Sequence, residues 1–163
     1  MSLRFLSILL LALTFLSVQA ADRVSLKQTK KTLTLMRGKV PILTYHVAAV
    51  PPPKGVDRVF DRSGFIHPIY APAGGVVTGI HPDDHYHHLG LWHAWVRTKY
   101  NGKQGPDFWN LKARTGRVRH AGIKAMRDSG FTVAQEQVAY LEGPEVEPTV
   151  ILAETLAVDA TFV

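Results

Sequence analysis

Between His81 and Trp95 the chain reads HPDDHYHHLGLWHAW, five histidines, two aspartates and two tryptophans within fifteen residues. Imidazole binds borderline metals, shuttles protons near neutral pH and hydrogen-bonds sugar hydroxyls, so this stretch is the first candidate for chemistry. If residues 85 to 95 are extended, His85, His87, Leu91, His93 and Trp95 share one face, and His88, Gly90, Trp92 and Ala94 share the other. On that premise His85, His87 and His93 form a trio suited to a divalent first-row metal (zinc, copper or iron), with an open position for water or substrate. Asp83 or Asp84 would then orient an imidazole from behind. The spacing matches no established metal signature, and the same residues also suit metal-free ligand binding, acid–base work or a polar loop turning at Pro82. Gly90 qualifies the strand premise, because glycine within a strand marks a bulge or a close backbone approach.

Trp92, Trp95 and Trp109, with Tyr86, Tyr100 and Phe108, supply flat apolar surfaces on which sugar rings stack, with core packing as the competing fate. The run Asp107-Phe108-Trp109-Asn110 follows a hairpin turn, so Asp107 and Asn110 are expected on a loop rim where they can bind hydroxyls. A second polar constellation, Arg62-Ser63-Gly64-Phe65-Ile66-His67-Pro68, contains a histidine whose backbone is restricted by the following proline. Such fixing suits a site residue or a strand-end residue alike. His46 and His120 have no polar neighbours in sequence and default to structural roles.

These groups need a scaffold, and the mature chain alternates with period two far more often than it repeats at helical spacing. Thr32–Leu35 and Val40–Tyr45 flank Arg37-Gly38-Lys39 as a hairpin, with Pro41 suggesting an edge strand. Further strands are expected at Phe65–Tyr70, Val76–Ile80, Leu89–Tyr100, Arg117–Met126, Phe131–Leu141 and from Thr149 onward. Asn101-Gly102 and Asp128-Ser129-Gly130 provide turns. Helix should be scarce, and the economical architecture is an all-β antiparallel sandwich. Apolar residues still arriving at Val163 suggest a chain ending inside a sheet, a domain incomplete at its C-terminus.

Arg4, the apolar run Phe5–Val18 and Val18-Gln19-Ala20 read as a secretory signal peptide cleaved after Ala20. That implies a periplasmic or secreted protein with no stable membrane span after cleavage, and a single domain over 21–163. With no cysteine, thiolate metal sites, cysteine nucleophiles and disulfides are excluded. The net charge of +6 is spread thinly. Its densest stretch, Lys112 to Arg119, lacks interleaved aromatics, which argues against a nucleic-acid partner.

The segments GFIHPIYAP at 64–72, DDHYHHLGLWHAW at 83–95 and DFWN at 107–110 resemble, in this order, the bacterial family labelled methane oxygenase PmoA. The likeness runs from about Leu33 to the end. It implies an exported protein similar to galactose mutarotase-like supersandwiches, which handle sugars with histidines and carboxylates. Methane oxidation itself would need several apolar spans, and the chain offers only its leader. The resemblance carries onto His67, Asp84, His85, His87, His88, Trp92 and His93, with Asp107, Trp109 and Asn110 behind them. It also implies that strands beyond Val163 would belong to a complete member.

The resulting expectation is a carbohydrate-active sandwich taking a small-molecule or glycan substrate. In it His67 or His87 is general acid or base, Asp84 orients an imidazole, and Trp92, Asp107, Trp109 and Asn110 bind substrate. The competing expectations are a metal-dependent hydrolase or oxygenase on His85, His87 and His93, and a non-catalytic sugar-binding module.

Overall fold

The computed structural model describes residues 23–143 and 145–161; the leader expectation therefore lies outside the described residues. Among the described residues nine strands run antiparallel in three sheets. The first sheet has the order β1-β2-β3-β4, built from Val24–Gln28, Thr32–Arg37, Val40–His46 and Ile66–Ile69. The third has the order β7-β8-β9, from Gly116–Arg127, Gly130–Ala139 and Thr149–Asp159. Between them in the chain comes the small hairpin of β5, Lys99–Tyr100, and β6, Lys103–Gln104. Two single 3-10 turns, Arg58–Phe60 and Leu111–Ala113, are the helical content of the described residues, so the expectation of scarce helix holds. None of the described helices is long and apolar enough to cross a membrane.

The two large sheets face each other as a sandwich. Leu33, Leu35, Tyr45 and Ile66 from the first sheet meet Phe131 and Val133 from the third in one buried cluster. Alternation is the cause: Leu33 and Leu35 are fully buried while Thr32 and Thr34 face outward, and each such leucine contributes roughly 1.5–3 kcal/mol by leaving water. A polar knot ties the same interface. Tyr45 Oη lies 3.0 Å from His120 Nδ1, and Gln135 Nε2 donates to both Tyr45 Oη and the Gly64 carbonyl. Burial pushes the Tyr45 hydroxyl up to about 12, against the lowering pull of the Gln135 hydrogen bond and the Arg62 charge.

Three expected strands come out differently. Pro41 does not mark an edge, because β3 sits between β2 and β4. It is tolerated because it lies at a register shift, opposite Met36 and beyond the Leu43–Ile69 pairing, where no ladder N–H is required. The segment Val76–Ile80 makes only isolated bridges, Tyr70 to Val76 and Ile80 to Leu89. Leu89–Tyr100 likewise pairs only at Leu89, at Leu91 and in the two residues of β5. The predicted Asn101-Gly102 turn does close the β5–β6 hairpin, with both residues at positive φ. Without a neighbouring strand to bond to, apolar alternation alone left residues 92–98 as irregular chain.

Candidate functional site

The histidine-rich segment is seated by backbone bonds at both ends. Ile66 and Leu91 exchange N–H···O bonds of 2.9 Å, Gly90 N–H donates to the Gly79 carbonyl at 2.8 Å, and His81 N–H to the His88 carbonyl at 2.9 Å. Inside this clamp the chain turns twice, His85 N–H donating to the Pro82 carbonyl and His88 N–H to the His85 carbonyl. The premise of an extended 85–95 segment therefore fails over its first residues. Turn spacing, three residues apart, brings His85 and His88 into a stack of 4.8 Å between ring centroids.

The metal trio is corrected by the same observation. His87 lies 5.6 Å from His85 and 4.5 Å from His88, edge to face, so His88 rather than His93 completes the ring cluster. His93 instead places Nδ1 2.9 Å from Glu154 Oε1 on β9 and its ring 5.4 Å from Trp95. Glu154 is held from its other oxygen by Gln137 Nε2 at 3.1 Å. Among the described residues no group of three or more His, Asp or Glu side chains is arranged to hold a metal ion.

An aromatic wall continues from the cluster. Trp109 lies 5.8 Å from His88 and 6.3 Å from His87, and Trp92 lies 4.6 Å from Trp109. Behind Trp92 the Arg62 guanidinium sits 4.0 Å from the ring centroid, a cation–π contact, while its Nη2 donates to the His93 carbonyl. Trp109 is 40 % exposed, enough of a face to stack a ligand, so core packing alone does not describe it. Its loop is shaped by Asp107, whose Oδ1 accepts from the Trp109 and Asn110 N–H groups. Asp107 is thus spent on the turn, while Asn110 is exposed at the start of the following 3-10 turn and makes no side-chain capping bond there.

A groove of about 670 Å³ is lined by Asp83, Asp84, His85, Tyr86 and His87 together with Asn110 and Lys112, so that His85 and His87 are shared between it and the ring cluster and Asn110 follows Trp109 directly in the chain. Its floor includes Phe60, which packs 5.8 Å from Tyr86. Asp84 Oδ2 lies 3.0 Å from His85 Nδ1, and this contact is the first reason its carboxyl is held below the usual range. Burial, then the neighbouring His88 and His85, holds the His87 imidazole below its ordinary value, so near neutral pH its ring is uncharged and open to accept a proton.

His67 stands apart from the ring cluster in its bonding. Its Nδ1 lies 2.9 Å from Thr78 Oγ1, which also accepts from the Ile69 N–H, and its carbonyl lies 2.7 Å from His46 Nε2. His46 stacks on Phe65 at 4.5 Å, so these two histidines brace β3 against β4. Glu154 and Gln137 were not found from the sequence. A signal existed: the buried face of β8 runs Phe131, Val133, Gln135, Gln137, and two amides continuing an apolar face announce a buried polar network.

No curated protein and no solved structure matches the chain. A match does extend over residues 32–161, which takes in the clamp, the ring cluster, the tryptophan wall and the Glu154 strand. By that match the chain belongs to a family of unknown function, DUF6807.

Proposed function

We propose that the groove binds carbohydrate and that His87 acts in it as a general base. The carrying observation is the continuous wall of His85, His88, His87, Trp109 and Trp92 beside a groove bearing Asp83, Asp84 and Asn110. Flat apolar faces next to hydroxyl-binding carboxylates and amides are what a sugar ring requires. An uncharged imidazole at its edge suits removal of a proton from a sugar carbon or hydroxyl. Asp84 orients His85, and His93, backed by Glu154, is a second oriented imidazole close to Trp95. The reading rests on the chemistry of the site itself, since the matched family is one of unknown function.

The test is a panel of glycans and keto-sugars against the full chain, followed by tryptophan fluorescence and product analysis. Trp109→Ala is expected to weaken binding about tenfold, the effect of losing one stacking face. His87→Ala is expected to retain binding and lose turnover by about 10²–10⁴-fold. Unaltered binding in the tryptophan variant would remove the wall from the site. Binding without product for every sugar would leave a non-catalytic sugar-binding module.

A further inference from the structure

From Gly90 to Trp95 the chain alternates in its exposure: Leu91, His93 and Trp95 are exposed, whereas Gly90, Trp92 and Ala94 are half-buried. Trp95 is 52 % exposed and the His93 side chain 57 %, and neither residue lines the groove. We propose that these two residues form a second carbohydrate-binding site, in which the Trp95 indole stacks on a sugar ring and His93 Nε2 accepts a sugar hydroxyl. Glu154 and Gln137 are its positioning residues.

The hydrogen bonds behind His93 run in one direction. An ionised carboxylate only accepts, so His93 Nδ1 carries the proton it shares with Glu154 Oε1 at 2.9 Å, and Gln137 turns its Nε2 toward Glu154 Oε2 at 3.1 Å. The same amide orientation leaves Gln137 Oε1 to accept from the Trp95 N–H at 3.4 Å, so both ends of the side chain agree. Gln137 is fully buried and links Glu154 of β9 to the backbone of Trp95. The neutral His93 ring is therefore held as its Nδ1–H tautomer, and its Nε2 lone pair has no partner among the described residues. An exposed histidine ordinarily samples several rotamers; here a buried amide and a carboxylate from separate strands fix one ring orientation.

What the surface offers is thus a directed acceptor beside an aromatic plane. The His93 and Trp95 rings lie 5.4 Å apart between centroids, at 75° to each other. Leu91 on the same face of the segment, and Leu152, which pairs with Gln137 across β8 and β9, add exposed apolar surface. A sugar ring matches this set, because its C–H face lies against an indole while its hydroxyls need acceptors in a fixed direction. A purely apolar partner has no use for the directed lone pair, and a metal ion needs a group of ligands that the described residues do not assemble here. The inference does not rest on the sugar reading of the groove, since it uses none of the residues that line it.

The protein has three tryptophans, so proton–nitrogen correlation NMR of the full chain gives three indole signals, assigned by replacing each tryptophan in turn with phenylalanine. The titrants are neutral tetrasaccharides of glucose, xylose, mannose, galactose and N-acetylglucosamine. Saturable movement of the Trp95 signal with at least one of them is expected. His93→Ala is expected to raise the Kd read at Trp95 about fivefold, the loss of one hydrogen bond, and Trp95→Ala to remove the response of the His93 ring. The ring nitrogen shifts of His93 should report the Nδ1–H tautomer in the native chain and a tautomer mixture in Glu154→Ala, which a carboxylate serving the fold alone would not produce. Movement of Trp92 and Trp109 alone would overturn the second site and leave the groove standing, whereas movement of Trp95 alone would support it and sink the groove reading. No movement of any indole overturns both. Loss of the Trp95 response in Trp109→Ala would assign the ligand to the groove, and a Trp95 signal that follows protein concentration instead of sugar would make this surface a contact between copies; either overturns the site. An unchanged Kd in His93→Ala removes His93 from it. Folding of each variant is checked by circular dichroism, and should His93→Ala not fold, the titration of the native chain still decides whether the site exists.

Discussion

Gly90 fixes how the ring cluster and the tryptophan wall meet. Its φ is +61°, and a Cβ built on it would overlap the Ile66 carbonyl oxygen and lie 2.9 Å from His67 Cβ. The closeness is what allows Ile66 and Leu91 to exchange their two backbone bonds, with the histidine turns before them and Trp92 and His93 after. Replacement by alanine imposes both a left-handed backbone and a collision with main chain, neither of which a side-chain rotation relieves. Gly90→Ala is expected to destabilise the fold by about 2 kcal/mol or more, read from urea unfolding, and to separate the rings of His88 and Trp109. A loss within about 0.5 kcal/mol, the range of ordinary surface changes, would show that the clamp is not under the constraint argued here.

Among the strands, those that were legible in the sequence are those whose alternation has a partner to face. Leu33 and Leu35, or Phe131 and Val133, each repeat every second residue and each meet the opposite sheet, so pattern and packing agree. Val76 and Val77 lie in a segment held only by an isolated bridge and a single backbone bond, and their side chains meet no opposing sheet: Val77 is 64 % exposed. Leu35→Ala is therefore expected to cost about 2–5 kcal/mol, the range for emptying a buried leucine site. Val77→Ala should stay within about 0.5 kcal/mol, as an exposed position does. Equal losses in the two unfolding curves would contradict the placement of the core. The candidate site was legible in composition and not in geometry. Two turns at Pro82–His88 rotate His88 into the cluster in place of His93, and such turns leave no period in the sequence. Glu154 and Arg62 are read locally as a solvent-facing strand residue and a loop cation; only the return of β9 beside β8 and the seating of Trp92 give them their partners.

Taken over the entire domain, the histidines make the fold acid-sensitive in a defined window. His46, His67, His81, His87 and His120 are all held below their ordinary value of 6.5, in every case first by burial of the ring. Hydrogen bonds to the Phe60 and His67 carbonyls pull His81 and His46 back only in part. In the unfolded chain these rings take up protons near the ordinary value, whereas the folded protein resists until lower pH. The unfolded state therefore binds more protons across that interval, and stability is complete above it and falls as pH drops through it. Asp57 and Asp84, whose carboxyls are held below 3.8, add a separate loss only at and below that range. The urea midpoint is expected to be flat above about pH 7.5 and to decline steadily toward about pH 5, above the range where Asp57 and Asp84 contribute. His46→Gln keeps a donor for the His67 carbonyl while removing one buried ring, and so should lower overall stability but flatten that decline. A midpoint independent of pH over this range would mean that the rings ionise in the fold as freely as in water. Because His87 is one of the five, the proton that weakens the domain is also the one that occupies the proposed base, so turnover and stability should fall over overlapping pH ranges.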